Sequence, residues 1–419
     1  MNYSEAIEYI HSFLKFGSKP GLERVSALLE IFSNPQNSLK TVHVAGTNGK
    51  GSTCEMISKA LTSWGKKTGL FTSPYVSDFC ERMQIDGKMI SHGELSTLVE
   101  KFRDEISILN EKGIFPTEFE LITAMAFDWF KKEKCDYAVM EVGLGGLYDS
   151  TNVIESPEVS VITHIDFDHE AVLGSTIKEI TLQKCGIIKD GCPCVLYPEQ
   201  YPEVVDIVKE ECKKHNGKLI IPDVSSIEII RDNAFGAKFS YKGKTYCLNM
   251  AGKHQIFNAI TAVEALETIG CERIKEGIEN AALPARIEVV NRDPLIILDG
   301  AHNPDGARAL CDSLEKIGKY TAVLSIMSDK DVEGCLKYLL ENAENAVVTK
   351  CDNPRSMQTD ELALLCKKYC DNVFVCEKPE DAVKYALDNS KNIPVVVCGS
   401  LYLASEIRQF LKNISSQYK

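Results

Sequence analysis

The sequence predicts an α/β protein of two domains, and three observations carry that reading. Short β-rich runs alternate with helical stretches from residue 40 to 198, the pattern of parallel strands joined by crossover helices. The same alternation restarts beyond Asn291-Arg292-Asp293-Pro294, a polar, proline-containing break that reads as a linker. Between the first strand and the first crossover helix stands a glycine-rich segment, Gly46 to Gly51, of the kind that wraps phosphate. The expected architecture is a P-loop-type, doubly wound, mainly parallel sheet domain with a small antiparallel β region over 1–290, followed by a smaller Rossmann-like α/β domain over 291–419.

Each element has a local cause. Strands are expected at Thr41 to Ala45, Thr68 to Phe71, Tyr137 to Val142, Val159 to Thr163 and Pro193 to Leu196. The helices between them carry start signals. Ser91-x-x-Glu94, Thr117-x-x-Glu120 and Thr176-x-x-Glu179 each fit a capping box, in which hydroxyl and carboxylate satisfy reciprocal backbone donors. From Lys218 to Met250 the pattern shifts to short alternating runs, Lys218-Leu219-Ile220-Ile221 and Ala237 to Tyr241, then the turn Lys242-Gly243-Lys244, which predicts a small antiparallel hairpin region. Helices follow from Gln255 to Ile269 and from Glu272 to Ala282. In the second domain strands fall near Leu295 to Leu298, Tyr320 to Ser325, Ala346 to Thr349, Val373 to Val375 and Val395 to Cys398, each followed by a helix.

Composition excludes several classes. The 16 cysteines among 419 residues are too sparse for a disulfide scaffold, and Met1-Asn2-Tyr3-Ser4-Glu5 lacks the basic start of a signal peptide, so a reducing cytoplasm is expected. The longest apolar runs, such as Pro394 to Cys398, have the length of buried strands rather than of membrane spans. A net charge of -13 argues against general affinity for nucleic acid, which needs a surplus of Lys and Arg. The expected partners are therefore small molecules, with no nucleic acid and no membrane. Cys192-Pro193-Cys194 and Cys366-x-x-x-Cys370 lack a second pair at zinc-finger spacing, so the cysteines read as small core groups.

Four segments carry chemistry. In Gly46-Thr47-Asn48-Gly49-Lys50-Gly51-Ser52, glycines let the backbone approach phosphate, helix N-H groups favour its charge and Lys50 adds a cation. Only two residues separate Gly46 from Gly49, and Gly51 stands where Ser or Thr follows the lysine of a strict Walker A loop, so Ser52 becomes the metal hydroxyl. Glu141, in Glu141-Val142-Gly143-Leu144-Gly145-Gly146, closes a buried strand where sheets of this kind bind ligands. His164-Ile165-Asp166-Phe167-Asp168-His169 follows the next strand, and adjacent strands ending in Glu141 and His169 beside a phosphate loop point to a divalent metal. Asp299-Gly300-Ala301-His302-Asn303-Pro304 concentrates polar groups at the end of the first strand past the linker.

The combination resembles the folylpolyglutamate synthase/dihydrofolate synthase family of the Mur ligase superfamily. Beyond the four segments, the resemblance runs through Phe71-Thr72-Ser73-Pro74, Glu81-Arg82, Asp149-Ser150-Thr151-Asn152, Leu173-Gly174-x-Thr176, Lys184-Cys185-Gly186-Ile187, His254-Gln255-x-x-Asn258-Ala259 and Gly399-Ser400-Leu401-Tyr402. It implies an ATP-dependent ligase that adds L-glutamate to the γ-carboxylate of a folate through an acyl phosphate, releasing ADP and phosphate. The alternatives are a bifunctional enzyme that also makes dihydrofolate from dihydropteroate, another Mur-type amide ligase, or a silent nucleotide-binding regulator.

By resemblance, Ser52, Glu141 and His169 bind magnesium, with two ions and a monovalent cation as expected cofactors beside ATP. Lys184 is expected to be carbamylated and to share catalysis with Lys50 and His302. ATP is assigned to Asn48, Gly49, Lys50, Gly51, Ser52, Asn258, Arg286 and Asp299, folate to Ser73 and Arg82, and the incoming glutamate to Ser400. Judged from the residues alone, Lys184 is a solvated helix-end lysine. The chain departs from the family's habit at Leu147, Gln183, Cys185 and Ala285, where the family more often has Arg, Glu, Ala and Gly. A monomer is expected.

Overall fold

The computed structural model describes residues 1–17, 20–390 and 393–417. The chain forms two compact units, Met1–Tyr75, Phe79–Ser226 and Phe257–Ala281 in the first, and Val76–Asp78, Ile227–Ile256 and Ala282–Lys419 in the second.

In the first unit the strands are β1 (Lys40–Ala45), β2 (Thr68–Phe71), β3 (Met83–Ile85), β4 (Lys88–Met89), β5 (Tyr137–Glu141), β6 (Val159–Ile162), β7 (Cys194–Leu196) and β8 (Leu219–Ile220). They make an eight-stranded sheet in the order β4-β3-β2-β5-β1-β6-β7-β8. The run from β2 to β8 is parallel, and β3 and β4 add an antiparallel edge. Strand β1 is buried at every residue but Lys40, as a parallel strand covered on both faces must be. The helices are α1 (Tyr3–His11), α2 (Glu23–Ile31), α3 (Lys50–Ser63), α4 (His92–Glu111), α5 (Glu118–Lys132), α6 (Glu170–Leu173), α7 (Ile177–Cys185), α8 (Pro202–Lys214), α9 (Lys253–Thr268) and α10 (Ile274–Asn280). The three expected capping boxes start α4, α5 and α7, and an unanticipated one, Asn2 with Glu5, starts α1. Phe71, Phe102, Phe127 and Phe130 are fully buried in one core with α1, α2, α4 and α5.

In the second unit β9 (Ile227–Asn233), β10 (Gly236–Tyr241) and β11 (Lys244–Leu248) form an antiparallel sheet. The other strands are β12 (Glu288–Arg292), β13 (Leu295–Leu298), β14 (Tyr320–Leu324), β15 (Ala343–Val348), β16 (Val373–Val375) and β17 (Val395–Cys398), ordered β12-β13-β17-β14-β15-β16. All but β12 run parallel. Helices α11 (Pro304–Leu314), α12 (Val332–Leu339) and α13 (Thr359–Cys366) cover one face through Leu310, Leu336 and Leu362. Helices α14 (Pro379–Asn389) and α15 (Leu401–Gln417) cover the other through Val383, Leu403 and Ile407.

Three expectations are corrected. Asn291 to Pro294 is no linker but the end of β12 and its turn into β13, where the Asn291 side-chain amide donates to the Pro294 carbonyl at 2.9 Å. A hairpin turn and a linker use the same polar, proline-containing chemistry, so the boundary expected at 290/291 misses the 282–290 segment that belongs with the second unit. The antiparallel region, expected inside the first domain, also lies in the second unit. Lys218 to Ile221 is not part of it: Leu219 and Ile220 pair parallel with β7 at the sheet edge, a strand too short for its alternation to reveal direction.

All 16 cysteines are free, and all but Cys247 and Cys376 are buried. Among the described residues no helix is long and apolar enough to cross a membrane.

Candidate active site

The glycine-rich segment leaves the carboxyl end of β1 and opens α3. Gly46 has φ +152°, and a Cβ there would lie 1.8 Å from Thr163 Oγ1, so only glycine fits. Gly49, the N-cap of α3, has φ +90°, and its Cβ would lie 2.4 Å from Asn258 Oδ1 on α9. The loop is strapped to the segment after β6. The Thr47 and Asn48 amides donate to the His164 carbonyl at 2.8 and 3.2 Å, while Thr47 Oγ1 donates to the Asp166 carbonyl at 2.9 Å. Gly49 has no side chain with which to cap α3, and the first-turn amides of such a helix, Lys50 to Ser52 here, are the groups that suit an anion. Lys50 folds back over the loop, its Nζ donating to the carbonyls of Gly46 and Thr47 at 3.1 and 3.0 Å. Ser52 is buried in the same first turn.

Lys184 comes to the same loop from α7. It is 3 % exposed, and its Nζ donates to the Gly46 carbonyl at 2.7 Å. Burial pushes its pKa well below the usual lysine range, the neighbouring Lys50 charge pushes the same way, and the Asp168 and Asp149 carboxylates oppose them. The residue-level reading of a solvated lysine therefore fails, because α7 ends beneath the phosphate loop. Two lysines share one carbonyl.

Glu141 ends β5 and is 4 % exposed, with Oε2 accepting the Ser73 amide at 2.9 Å. Strands β5 and β6 are not adjacent as expected. They flank β1, since each crossover carries the chain past a neighbour, and so bracket the loop from both sides. His169 lies beyond β6 as the N-cap of α6, at φ +52°, a left-handed conformation uncommon for histidine, and is half exposed beside Asp168. Arg82 stands over the rings of Tyr75 and Phe79 at 5.2 and 5.5 Å.

Sequence reading gave no role to the pair that organises the glycine segment after Glu141. Buried Asp149 accepts the amides of Leu144 and Thr151, both at 2.9 Å, and the Thr151 hydroxyl at 2.6 Å. Because Thr151 spends its proton on Asp149, its oxygen accepts from His43 Nε2, at 2.8 Å, which fixes the tautomer. Burial, with help from the Lys189 charge, lowers the His43 pKa to about 3. A histidine inside an apolar strand was the available signal.

In the second unit the segment after β13 is held by a tight turn. Ala285 and Ile287, at φ +52° and +48°, flank Arg286. Asp299 accepts the Ile287 and Ala301 amides at 2.8 and 2.7 Å, and the Gly300 amide donates to the Ala285 carbonyl at 2.9 Å. Burial raises the Asp299 pKa, against the Arg286 charge and these two amides. His302 Nδ1 donates to the Gly300 carbonyl at 2.9 Å, which leaves Nε2 as the acceptor nitrogen. Asn303 caps α11 by accepting the Gly306 amide, with Pro304 as its first residue. Ser400 is almost fully buried, and its Oγ accepts the Tyr402 amide at 3.0 Å, so it caps α15.

The structure thus gathers Gly46 to Ser52, Lys184 and Asn258 around one loop, with Glu141 and Ser73 joined beside it, and sets Arg286, Asp299 and His302 along one sheet edge of the second unit. Residues 44–266 match the Mur ligase middle domain, and residues 285–401 match the Mur ligase glutamate ligase domain. The chain is 36% identical, over 98% of its length and 99% of the relative's, to a protein of Bacillus subtilis named dihydrofolate synthase/folylpolyglutamate synthase. The solved structure of Mycobacterium tuberculosis folylpolyglutamate synthase complexed with ADP and AMPPCP superposes with a TM-score of 0.88 at 30% identity, covering 98% of this chain and 99% of that one. That of the Thermotoga maritima folylpolyglutamate synthase gives 0.86 at 35% identity, covering 98% and 96%.

Proposed function

The chain belongs to the folylpolyglutamate synthase/dihydrofolate synthase family of Mur ligases, and from that premise we propose how its residues divide the work of one reaction. The protein is an ATP-dependent ligase that joins L-glutamate to the γ-carboxylate of a folate and releases ADP and phosphate. The observation that carries the assignment is the convergence of Lys50 and Lys184 on the Gly46 carbonyl, beside the glycine that opens α3.

A carboxylate is a poor electrophile, so the γ-phosphoryl of ATP is transferred to it first. The α3 amides and Lys50 hold the phosphate chain and offset the charge that spreads over the transferring group, a positional and electrostatic task. Gly49 leaves room for Asn258 beside the nucleotide, and Arg286 and Asp299 contribute nucleotide contacts from the second unit. The donor set of Ser52 hydroxyl, Glu141 carboxylate and His169 imidazole, two of the three buried, fits a hard divalent cation. When bound there, Mg2+ supplies charge neutralisation to the phosphates, with a second ion and a monovalent cation in the same reading.

Lys184 is suited to carbamylation. Burial and the Lys50 charge favour its unprotonated form, which can add carbon dioxide to give a carbamate and one proton, so that an anionic oxygen donor stands where an ammonium would repel the metal. His302, with an acceptor Nε2, is the second-unit group suited to receive a proton as the glutamate amine attacks the acyl phosphate. Ser73 and Arg82 are assigned to the folate, and Ser400 to the incoming glutamate through its fixed place at the start of α15. On this reading the protein is a cytoplasmic monomer.

ADP release with Mg2+, L-glutamate and either tetrahydrofolate or dihydropteroate, with mass spectrometry of the products, tests the proposal. Turnover with tetrahydrofolate is expected. Turnover with both substrates identifies the bifunctional enzyme, a second reading favoured by the name of the Bacillus subtilis relative. Turnover with neither overturns the substrate assignment.

A further inference from the structure

We propose that Arg355 binds a carboxylate of the incoming L-glutamate and sets the selectivity for it, an inference that rests on the ligase reading above. In the second unit α12 and α13 leave β14 and β15 for one face of the sheet, whereas α15 leaves β17 for the other. The carboxyl end of β17 beside β14 is therefore a switch point, the place where open α/β sheets take ligands.

The loops after β14, β15 and β17 meet there. Buried Ser325 and Ser356 share a hydrogen bond at 3.0 Å, Met327 bridges to Ser356, and the Ser328 amide donates to the Arg355 carbonyl at 2.8 Å. On the other side the Asp352 amide donates to Glu406 of α15 at 2.8 Å. The Arg355 amide donates to Asn353 Oδ1 at 2.9 Å, so its backbone is held at both its amide and its carbonyl, and a ligand arriving at its side chain has little ordering left to impose.

The guanidinium donates from Nη1 to Asp329 at 3.1 Å and from Nη2 to the Tyr402 hydroxyl at 2.8 Å, and it lies 5.4 Å from the centre of the Tyr402 ring. The Tyr402 amide in turn donates to Ser400 Oγ, so the cation stands two contacts from the residue assigned to glutamate. Arg355 and Asp329 are 47% and 46% exposed, and an ion pair open to water is weak enough for a ligand carboxylate to join or displace it. These contacts use two of the five guanidinium donors. L-Glutamate reacts through its amine and keeps two carboxylates that must be held while the amine is aimed. A planar fork already carrying one carboxylate is matched to that task.

The test measures initial rates of ADP release by the full-length protein against L-glutamate at saturating ATP and tetrahydrofolate, for wild type, Arg355→Gln and Arg355→Lys. For Arg355→Gln the KM for L-glutamate is expected to rise at least about tenfold, with the KM values for ATP and folate within about twofold, and Arg355→Lys to recover part of the loss. The preference for L-glutamate over L-glutamine or over the α-amide of glutamate should collapse in Arg355→Gln, and whichever ratio collapses names the carboxylate that is read. An unchanged KM for L-glutamate, an equal rise in all three KM values, or two unchanged ratios overturns the proposal. Failure of the ligase reading would show separately, as a wild type that does not turn over.

Discussion

Two turns at the carboxyl ends of parallel strands solve the same backbone problem differently. After β1, the left-handed or extended positive-φ positions are glycines, Gly46 and Gly49, and a Cβ at either would strike Thr163 or Asn258. Before β12, the positive-φ positions are Ala285 and Ile287, each of which carries a penalty of roughly 1–2 kcal/mol for a left-handed L residue. The second turn survives because it is over-determined. Glu288 takes the Ala285 amide and is itself held by Arg408, while Asp299 takes the Ile287 amide. Glycine is demanded where another atom must come close to the backbone; elsewhere hydrogen bonds can hold a strained side-chain residue in place.

The sharpest test of this contrast is Lys50→Ala, which removes the cation from the glycine loop and leaves its backbone intact. A fall in kcat of at least about a hundredfold is expected, with a melting temperature within a few degrees of wild type. Near-normal turnover would falsify the assignment of the loop.

Next comes acid sensitivity, which should belong to the first turn's surroundings. His43 has a folded pKa of about 3 against an ordinary value of 6.5, so its neutral form contributes stability that is complete above pH 6.5 and is lost as pH falls. Between about pH 6 and 4 the loss approaches about 1.4 kcal/mol per pH unit. Trp64 and Trp129, the protein's 2 tryptophans, both lie in the first unit, so their fluorescence in denaturant titrations reads that unit alone. His43→Gln should flatten the slope, and an equal slope in the variant would remove His43 from the account.

Gly49→Ala and Ala285→Gly are reciprocal probes of smaller size. The first should lose about 1–2 kcal/mol of stability and about tenfold in kcat/KM for ATP, since its methyl displaces Asn258. The second relieves strain but gives up a buried methyl and gains chain entropy, terms of about 1 kcal/mol each that nearly cancel, so stability should shift by less than about 1 kcal/mol. A large effect from Ala285→Gly, or none from Gly49→Ala, would break the comparison.

Much of the scaffold was legible because its causes are local. Ser91 with Glu94, Thr117 with Glu120 and Thr176 with Glu179 announce helices within four residues, and the run Val395 to Cys398 announces a buried strand. The glycine loop was legible for the same reason. What stayed hidden depends on distant chain. Lys184 is a site residue only because Gly46 lies above it, and without the resemblance its place on α7 reads as solvent. Arg355 lies in an ordinary polar loop until Asp329 and Tyr402 are brought beside it. The reading of Asn291 to Pro294 as a linker erred because turn chemistry names a reversal and not what lies on either side of it.

The interleaving of the two units along the chain has a consequence for biosynthesis. Residues 227–256 emerge from the ribosome before the two helices, α11 and α12, whose Leu310, Leu314 and Leu336 share a core with Ala234 and Ala251. The small antiparallel sheet must therefore wait, tethered between two segments of the first unit, while α9 and α10 are made and finish that unit. A fragment begun at Asn291 would lack most of β12 and the whole antiparallel sheet, and one ended there would leave Ala234 and Ala251 without the leucines of α11 and α12 that share their core. Along the chain, a piece of the second unit is enclosed in sequence between segments of the first.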